Sequence, residues 1–161
     1  MKSISNEIHK LSLLLIGDMD VGKTALVKQY KDGTFNEKKN TNALNIFSIS
    51  KYLKNDKFEG DITIEFYDCS GYKKYNSIDS KYYNNIAAII AVYDVNDKTT
   101  FDNIPTWLND LELYLYTNIL PVFVIGNKSD LQKIVMGEHP SPQIKRKISK
   151  YFEVSALTGK G

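Results

Sequence analysis

The octapeptide Gly17-Asp18-Met19-Asp20-Val21-Gly22-Lys23-Thr24 limits what this chain can fold into more than any other stretch. It fits G-x-x-x-x-G-K-[ST], a pattern whose chemistry works only between a buried strand and the first turn of a helix. The apolar run Leu11–Ile16 precedes it, and Ala25, Leu26, Gln29 and Tyr30 begin a helical stretch behind it. The glycines let backbone N–H groups converge on phosphate oxygens, and the helix N-terminus adds partial positive charge. Lys23 can reach β- and γ-phosphates, and Thr24 can offer its hydroxyl to Mg²⁺. Asp20, Val21, Gly22, Lys23, Thr24 and Ala25 are therefore the expected phosphate-binding residues, with Lys23 also in a catalytic role. Alone, the pattern indicates a nucleoside-triphosphate site and leaves the base open.

The rest of the chain supplies the architecture such a loop requires. Ile86–Val92, Leu120–Ile125 and the weaker Tyr151–Val154 are further short runs, apolar on both faces, as strands buried in a parallel sheet must be. The helix begun at Ala25 stops where Gly33, after Asp32, can take a left-handed cap. Trp107, Leu108, Leu111 and Leu115 share one face of a second helix, where Trp107 is assigned to packing. Ser141-Pro142 is a cap-and-proline start for a third, and Lys145–Lys150 reads as the solvated face of a helix. Ile46–Leu53 and Ile62–Tyr67, separated by polar Lys54–Asp61, read as an antiparallel hairpin. Strands alternating with helices imply a doubly wound α/β domain with ligands at the carboxyl ends of the strands.

Asn127-Lys128-Ser129-Asp130 follows an apolar run and so falls on the same rim as the phosphate loop. A carboxylate such as Asp130 can accept from guanine N1–H and from the exocyclic amine. Adenine offers no such pair, so the wrong base leaves buried groups unpaired. Asn127 can brace the loop, and the Lys128 stem can cover one face of the base. Asp68, at the end of Ile62–Tyr67, can hold Mg²⁺ through water, and Gly71 can direct a backbone N–H at the γ-phosphate. Ser155-Ala156-Leu157 can turn the Ala156 N–H toward the guanine carbonyl.

Composition removes other classes. A net charge of +2, with twenty lysines to one arginine, is too small an excess to suggest a nucleic-acid partner. No apolar run reaches the ~18 residues of a membrane span, and the start lacks a signal-peptide pattern. Cys69 is the only cysteine, which excludes an internal disulfide and suits a reducing compartment. His9 and His139 have no partners at ligand spacing. The expected place is the cytoplasm, including the cytosolic face of endomembranes.

Taken in order, Gly17–Thr24, Asp68-x-x-Gly71, Asn127–Asp130 and Ser155-Ala156 resemble the guanine-nucleotide boxes of the Ras superfamily of small GTPases, over about Leu11 to Gly161. Lys81-Tyr82-Tyr83-Asn84-Asn85, Val92-Tyr93-Asp94-Val95, and Thr100-Phe101 followed by Trp107-Leu108 make the chain look most like the Rab branch. The resemblance implies a P-loop domain with a six-stranded, mostly parallel sheet, one antiparallel edge strand and helices on both faces. It implies GDP/GTP exchange with Mg²⁺, reset by hydrolysis. Phe35 falls where the family sets an aromatic edge against the base. Effectors, exchange factors and activating proteins are implied through two switch segments, from Phe35 to Phe47 and from Asp68 to Tyr83, with Tyr82-Tyr83 packing the second switch or meeting partners.

Four departures qualify the resemblance. Tyr72 stands where the family has its catalytic glutamine, and a phenol with one polar tip cannot both orient water and donate to the phosphoryl group. Met19 replaces Gly or Ser in the phosphate loop and crowds the γ-phosphate. Both predict slow turnover, although Rab-activating proteins generally supply a glutamine as well as an arginine. Asn42 falls at the switch threonine that ligates Mg²⁺; either Asn42 or the adjacent Thr41 can take that role. Leu157 replaces the usual lysine. The chain also stops at Gly161, before the family's final helix and lipidated tail, so the expectation is a single domain lacking both, with membrane attachment only through a tail beyond Gly161. Three functions compete: a slow GTPase switch, a guanine-nucleotide-binding scaffold with negligible hydrolysis, and an ATP-using enzyme.

Overall fold

The computed structural model of the chain describes residues 9–35, 44–69, 71, 85–112, 120–131 and 148–161. Their elements, in chain order, are β1 (His9–Ile16), α1 (Lys23–Asp32), β2 (Leu44–Lys54), β3 (Glu59–Cys69), β4 (Ile86–Asp94), α2 (Lys98–Asp102), α3 (Ile104–Glu112), β5 (Val122–Asn127) and β6 (Ile148–Glu153). The six strands form one sheet in the order β2-β3-β1-β4-β5-β6. All neighbours are parallel except the edge pair β2 and β3, which runs antiparallel from Leu44↔Cys69 to Lys54↔Glu59. This is the P-loop doubly wound arrangement expected from the sequence.

Pleating explains why the central strands are apolar throughout. Leu14 and Ile16 of β1 point to the face covered by α3, where Ile89, Ala91, Phe101, Ile104, Trp107, Leu108 and Val124 complete the larger core. Leu15 points to the other face and meets Val27 of α1 with Ile49 and Phe66. A strand buried on both sides has no polar alternation to show. The β2–β3 hairpin needs its long polar connection only for a tight turn. Asn55 Oδ1 accepts from the backbone N–H of Lys57 at 2.9 Å and of Phe58 at 2.8 Å, an Asx turn in which a side chain replaces a backbone acceptor.

Helix α1 ends as its sequence predicts. Gly33 has φ 64°, and its N–H donates to Gln29 O. The second expected helix is α3, which holds Trp107, Leu108 and Leu111; a short α2, capped by Asp97 through Thr99 N–H at 2.9 Å, ends two residues before it begins. Leu115, His139 and the helix expected from Ser141-Pro142 lie outside the described residues. Two strands are displaced from their sequence positions. β5 starts at Val122, because Pro121 carries no N–H for the ladder and gives only its carbonyl, to Ile89 N–H. β6 covers Ile148–Glu153, so Ile148, Ser149 and Lys150 are strand rather than the solvated helix face read from the sequence. β6 is an edge strand with no fully buried residue, and a run so polar carries no both-faces-apolar signal.

Where β1 leaves the sheet the backbone must pass close to β4. Gly17 has φ 133°, and a Cβ there would lie 2.1 Å from the Val92 carbonyl oxygen. Gly17→Ala should cost about 2–4 kcal/mol, combining strain of ~1–3 kcal/mol with overpacking of similar size. The check is a urea midpoint lowered with an unchanged slope.

Candidate functional site

Five of the six strands run parallel, so the loops after β1, β3, β4, β5 and β6 all leave from one rim of the sheet. The loop after β1 turns through Asp20 and Gly22, with φ 62° and 93°, around a completely buried Val21. No side chain caps α1, and its first turn holds no acidic residue. Its N-terminal N–H groups therefore lack a side-chain cap and an acidic residue of their own turn, which suits an anion site.

Lys23, 6 % exposed, folds back along the loop. Its Nζ donates to Gly17 O at 2.9 Å and Asp18 O at 2.7 Å. Burial lowers its pKa, and the nearby Asp68 only partly opposes this. An ammonium held by two neutral carbonyls in a desolvated place is poised for an anionic partner. Thr24 Oγ1 donates to Asp68 Oδ2 at 2.5 Å, so a hydroxyl from the first turn of α1 and a carboxylate from β3 share one spot. Asp68 sits inside β3, one residue before its end and with no exposed surface, where the sequence reads it as ending the strand. The extension of β3 through the adjacent buried Cys69 accounts for this. Burial pushes that thiol up to about 12, which keeps it protonated and unreactive.

No cluster of three or more His, Cys, Asp or Glu occurs among the described residues. The Thr24–Asp68 oxygen pair nevertheless fits Mg²⁺, a hard cation that keeps several waters and takes one or two protein oxygens beside substrate phosphates. Thr41, Asn42 and Tyr72 lie outside the described residues, as do most of both switch segments. Gly71 is half-buried against the phosphate loop, and a Cβ there would lie 2.2 Å from Met19 N. Met19 itself is 41 % exposed. Phe35 follows the α1 cap and is exposed.

The base-side loops meet at Asn127, the last residue of β5 and 1 % exposed. Its Nδ2 donates to Val21 O at 2.9 Å, and its Oδ1 accepts from Ala156 N–H at 3.0 Å. One amide thus joins the phosphate loop to the segment after β6. The Ala156 N–H, which the sequence aims at a base carbonyl, is engaged in this brace. Ser155 Oγ donates to Asp130 Oδ1, so the carboxylate has a second loop holding it. Leu157 is exposed.

Lys128 adopts φ 64°, and its Nζ pairs with Asp94 Oδ2 at 2.6 Å. Burial pushes Asp94 upward, but bonds from Lys128 and Asn96 outweigh it and hold the carboxyl below its ordinary range. Residue type alone assigns Asp94 no role, since an Asp at a strand end has many uses. Asp18 was equally silent, lying at a freely variable position of the loop pattern. Its two carboxylate oxygens accept from Asn103 Nδ2 at 2.7 Å and Trp107 Nε1 at 2.6 Å. Trp107 packs as expected, but a buried indole N–H also needs an acceptor, and that requirement was the available signal.

A family model described as Ras family matches residues 12–161. Among curated proteins, the chain is 38 % identical over 124 residues to Ras-related protein Rab-1A of Dictyostelium discoideum, covering 76 % of this chain and 59 % of that one. It is 30 % identical over 130 residues to Ras-related protein Rab-19 of Mus musculus, covering 80 % and 58 %. With Ras-related protein Rab-1 of Theileria annulata the identity is 31 % over 154 residues, covering 93 % and 68 %. The chain thus spans less than three fifths of the length of the first two relatives.

Proposed function

The chain belongs to the Ras family, and from that premise we propose that it is a guanine-nucleotide switch of Rab type. It binds GTP and GDP with Mg²⁺, hydrolyses GTP slowly and serves vesicle or membrane traffic signalling. The observation that carries this reading is the Asn127 amide, which holds the phosphate loop and the Ser155-Ala156 loop at once. A chance polar turn would not be fastened on both sides to the loops that a nucleotide must bridge.

In this reading the 161 residues are one nucleotide-binding domain. The loop N–H groups from Asp20 to Ala25 bind phosphates, and Lys23 exchanges its two carbonyls for β- and γ-phosphate oxygens. Thr24 and Asp68, with Thr41 or Asn42, hold Mg²⁺, which supplies charge neutralisation across the β- and γ-phosphates. Asp130 reads guanine, Lys128 lies along the base, and Phe35 meets its edge. Gly71 directs its N–H to the γ-phosphate. Partners of the family type (effectors, exchange factors and activating proteins) meet the two switch segments at the cytosolic face of membranes. No helix among the described residues is long and apolar enough to cross a membrane.

Tyr72 and Met19 favour a second reading, a scaffold that binds guanine nucleotide without useful turnover. Ras-like intrinsic hydrolysis is already about 10⁻⁴–10⁻³ s⁻¹, and each ~1.4 kcal/mol of added barrier costs about tenfold. Single-turnover hydrolysis of [γ-³²P]GTP should run below that range and rise about tenfold in Tyr72→Gln. Turnover equal to buffer, with and without a Rab-type activating protein, would leave the scaffold reading alone. The nucleotide retained on purification, and faster release in EDTA, test binding and Mg²⁺ separately. A preference for ATP over GTP would overturn the assignment of Asp130.

A further inference from the structure

Asp18 stands at a junction. Its carbonyl accepts from the Lys23 ammonium, and its side chain is held at both oxygens by Asn103, at the start of α3, and by Trp107 within it. Its peptide with Met19 is what a Cβ on Gly71 would strike: Met19 N at 2.2 Å, Met19 Cα at 2.4 Å and Asp18 C at 2.5 Å. One residue therefore touches the loop lysine, the glycine expected to face the γ-phosphate, and a helix on the far side of the loop.

The rest of the loop is held differently. Val21 O is fixed by Asn127, and Gly22 O by the first turn of α1. The limb formed by Asp18 and Met19 is held by Lys23 at the Asp18 carbonyl and, through its own side chains, by this tether to α3 alone among the bonds of the described residues. Two bonds to a carboxylate, one from a buried indole, are of the charge-assisted kind that fixes orientation.

We propose that Asp18 is a positioning residue that fastens the γ-phosphate limb of the loop to α3 and so sets the site's preference for a nucleoside triphosphate over a diphosphate. The inference rests on the guanine-nucleotide reading above. Lys23 and the α1 N-terminus serve both nucleotides. The Asp18–Met19 peptide and Gly71 bear on the third phosphate alone, so loosening that limb weakens one complex and spares the other. The same tether makes Trp107, the chain's single tryptophan, a built-in reporter of loop position.

The test compares dissociation of fluorescently labelled GTPγS and GDP, each with Mg²⁺, from the wild-type chain, Asp18→Ala, Asp18→Asn and Trp107→Phe. Asp18→Ala should release the triphosphate about tenfold faster, the effect of roughly one charge-assisted bond, and the diphosphate within about twofold. Asp18→Asn, which keeps the size and one acceptor, and Trp107→Phe, which removes one donor, should show smaller shifts in the same ratio. Trp107 emission should change between the two nucleotides in wild type and stop doing so in Asp18→Ala. A merely structural role would speed both releases equally and leave the emission difference intact; that result, or an unchanged ratio in all three variants, overturns this inference and spares the guanine reading. A wild-type chain that retains no guanine nucleotide overturns both.

Discussion

Asn127→Ala should destabilise the chain by about 2–5 kcal/mol and lower guanine-nucleotide affinity by two or more orders of magnitude. The first figure follows from two buried partners left behind, the Val21 carbonyl and the Ala156 N–H, each costing about 1–3 kcal/mol when unsatisfied. Against the ~5–15 kcal/mol total of a small domain, that is a large share. The second figure follows from geometry: without the amide, the phosphate and base loops lose the side chain that bridges them, and a rigid ligand must then restore their separation from its own binding energy. Asn127→Asp divides the effect. It keeps an acceptor for Ala156 N–H but sets a second oxygen against Val21 O, so the phosphate side should suffer most. Urea midpoints of the nucleotide-free chains, then titration with GDP, give the two numbers. Excess GDP should recover part of the lost stability by mass action. An Asn127→Ala chain with wild-type midpoint and affinity would remove the brace from the account of the site.

Much of this was legible in the sequence because it concerned backbone. The phosphate loop, the Asn127–Asp130 turn and the alternation of strands and helices are patterns of residue type at fixed spacing, and the six-stranded sheet follows once a doubly wound order is accepted. The Gly33 cap was readable for the same reason, since few residues other than glycine take φ 64° readily. What was not legible depends on who faces whom across the fold. Asp18 and Trp107 are 89 positions apart, and neither spacing nor residue type announces the pair. Asp94 gains meaning only when β4 and β5 lie side by side and bring Lys128 to it. The Ala156 N–H, which the Ser155-Ala156-Leu157 run aims at a base carbonyl, donates to an Asn127 amide oxygen that sequence alone cannot place. The first half of β6, Ile148 to Lys150, is hidden for the opposite cause. An edge strand facing solvent needs no apolar run, so Ser149 and Lys150 hid it.

The last effect concerns the identity of the base. Asp130→Asn should cut affinity for GTP by about 10²–10⁴-fold, and xanthosine triphosphate should recover most of it. A carboxylate accepts twice, from guanine N1–H and from the exocyclic amine; an amide accepts once and presents an N–H where the amine already has one. The change therefore replaces an attraction by an opposed pair of donors in a desolvated place, the situation in which discrimination reaches several orders of magnitude. Xanthine carries a carbonyl where guanine carries the amine, so the Asn N–H gains a partner while its Oδ1 keeps N1–H. Ser155 Oγ, which now donates to Asp130 Oδ1, can still donate to that oxygen, because a carbonyl has two lone pairs; the loop geometry survives the substitution. Folding should accordingly be little affected, unlike in Asn127→Ala, and equal melting temperatures for wild type and Asp130→Asn without nucleotide check that the change acts on recognition. Competition of GTP, xanthosine triphosphate and ATP for one labelled nucleotide reads the outcome. If Asp130→Asn retained its preference for GTP, the carboxylate would not be facing the base, and the guanine assignment would have to rest on another residue of the rim.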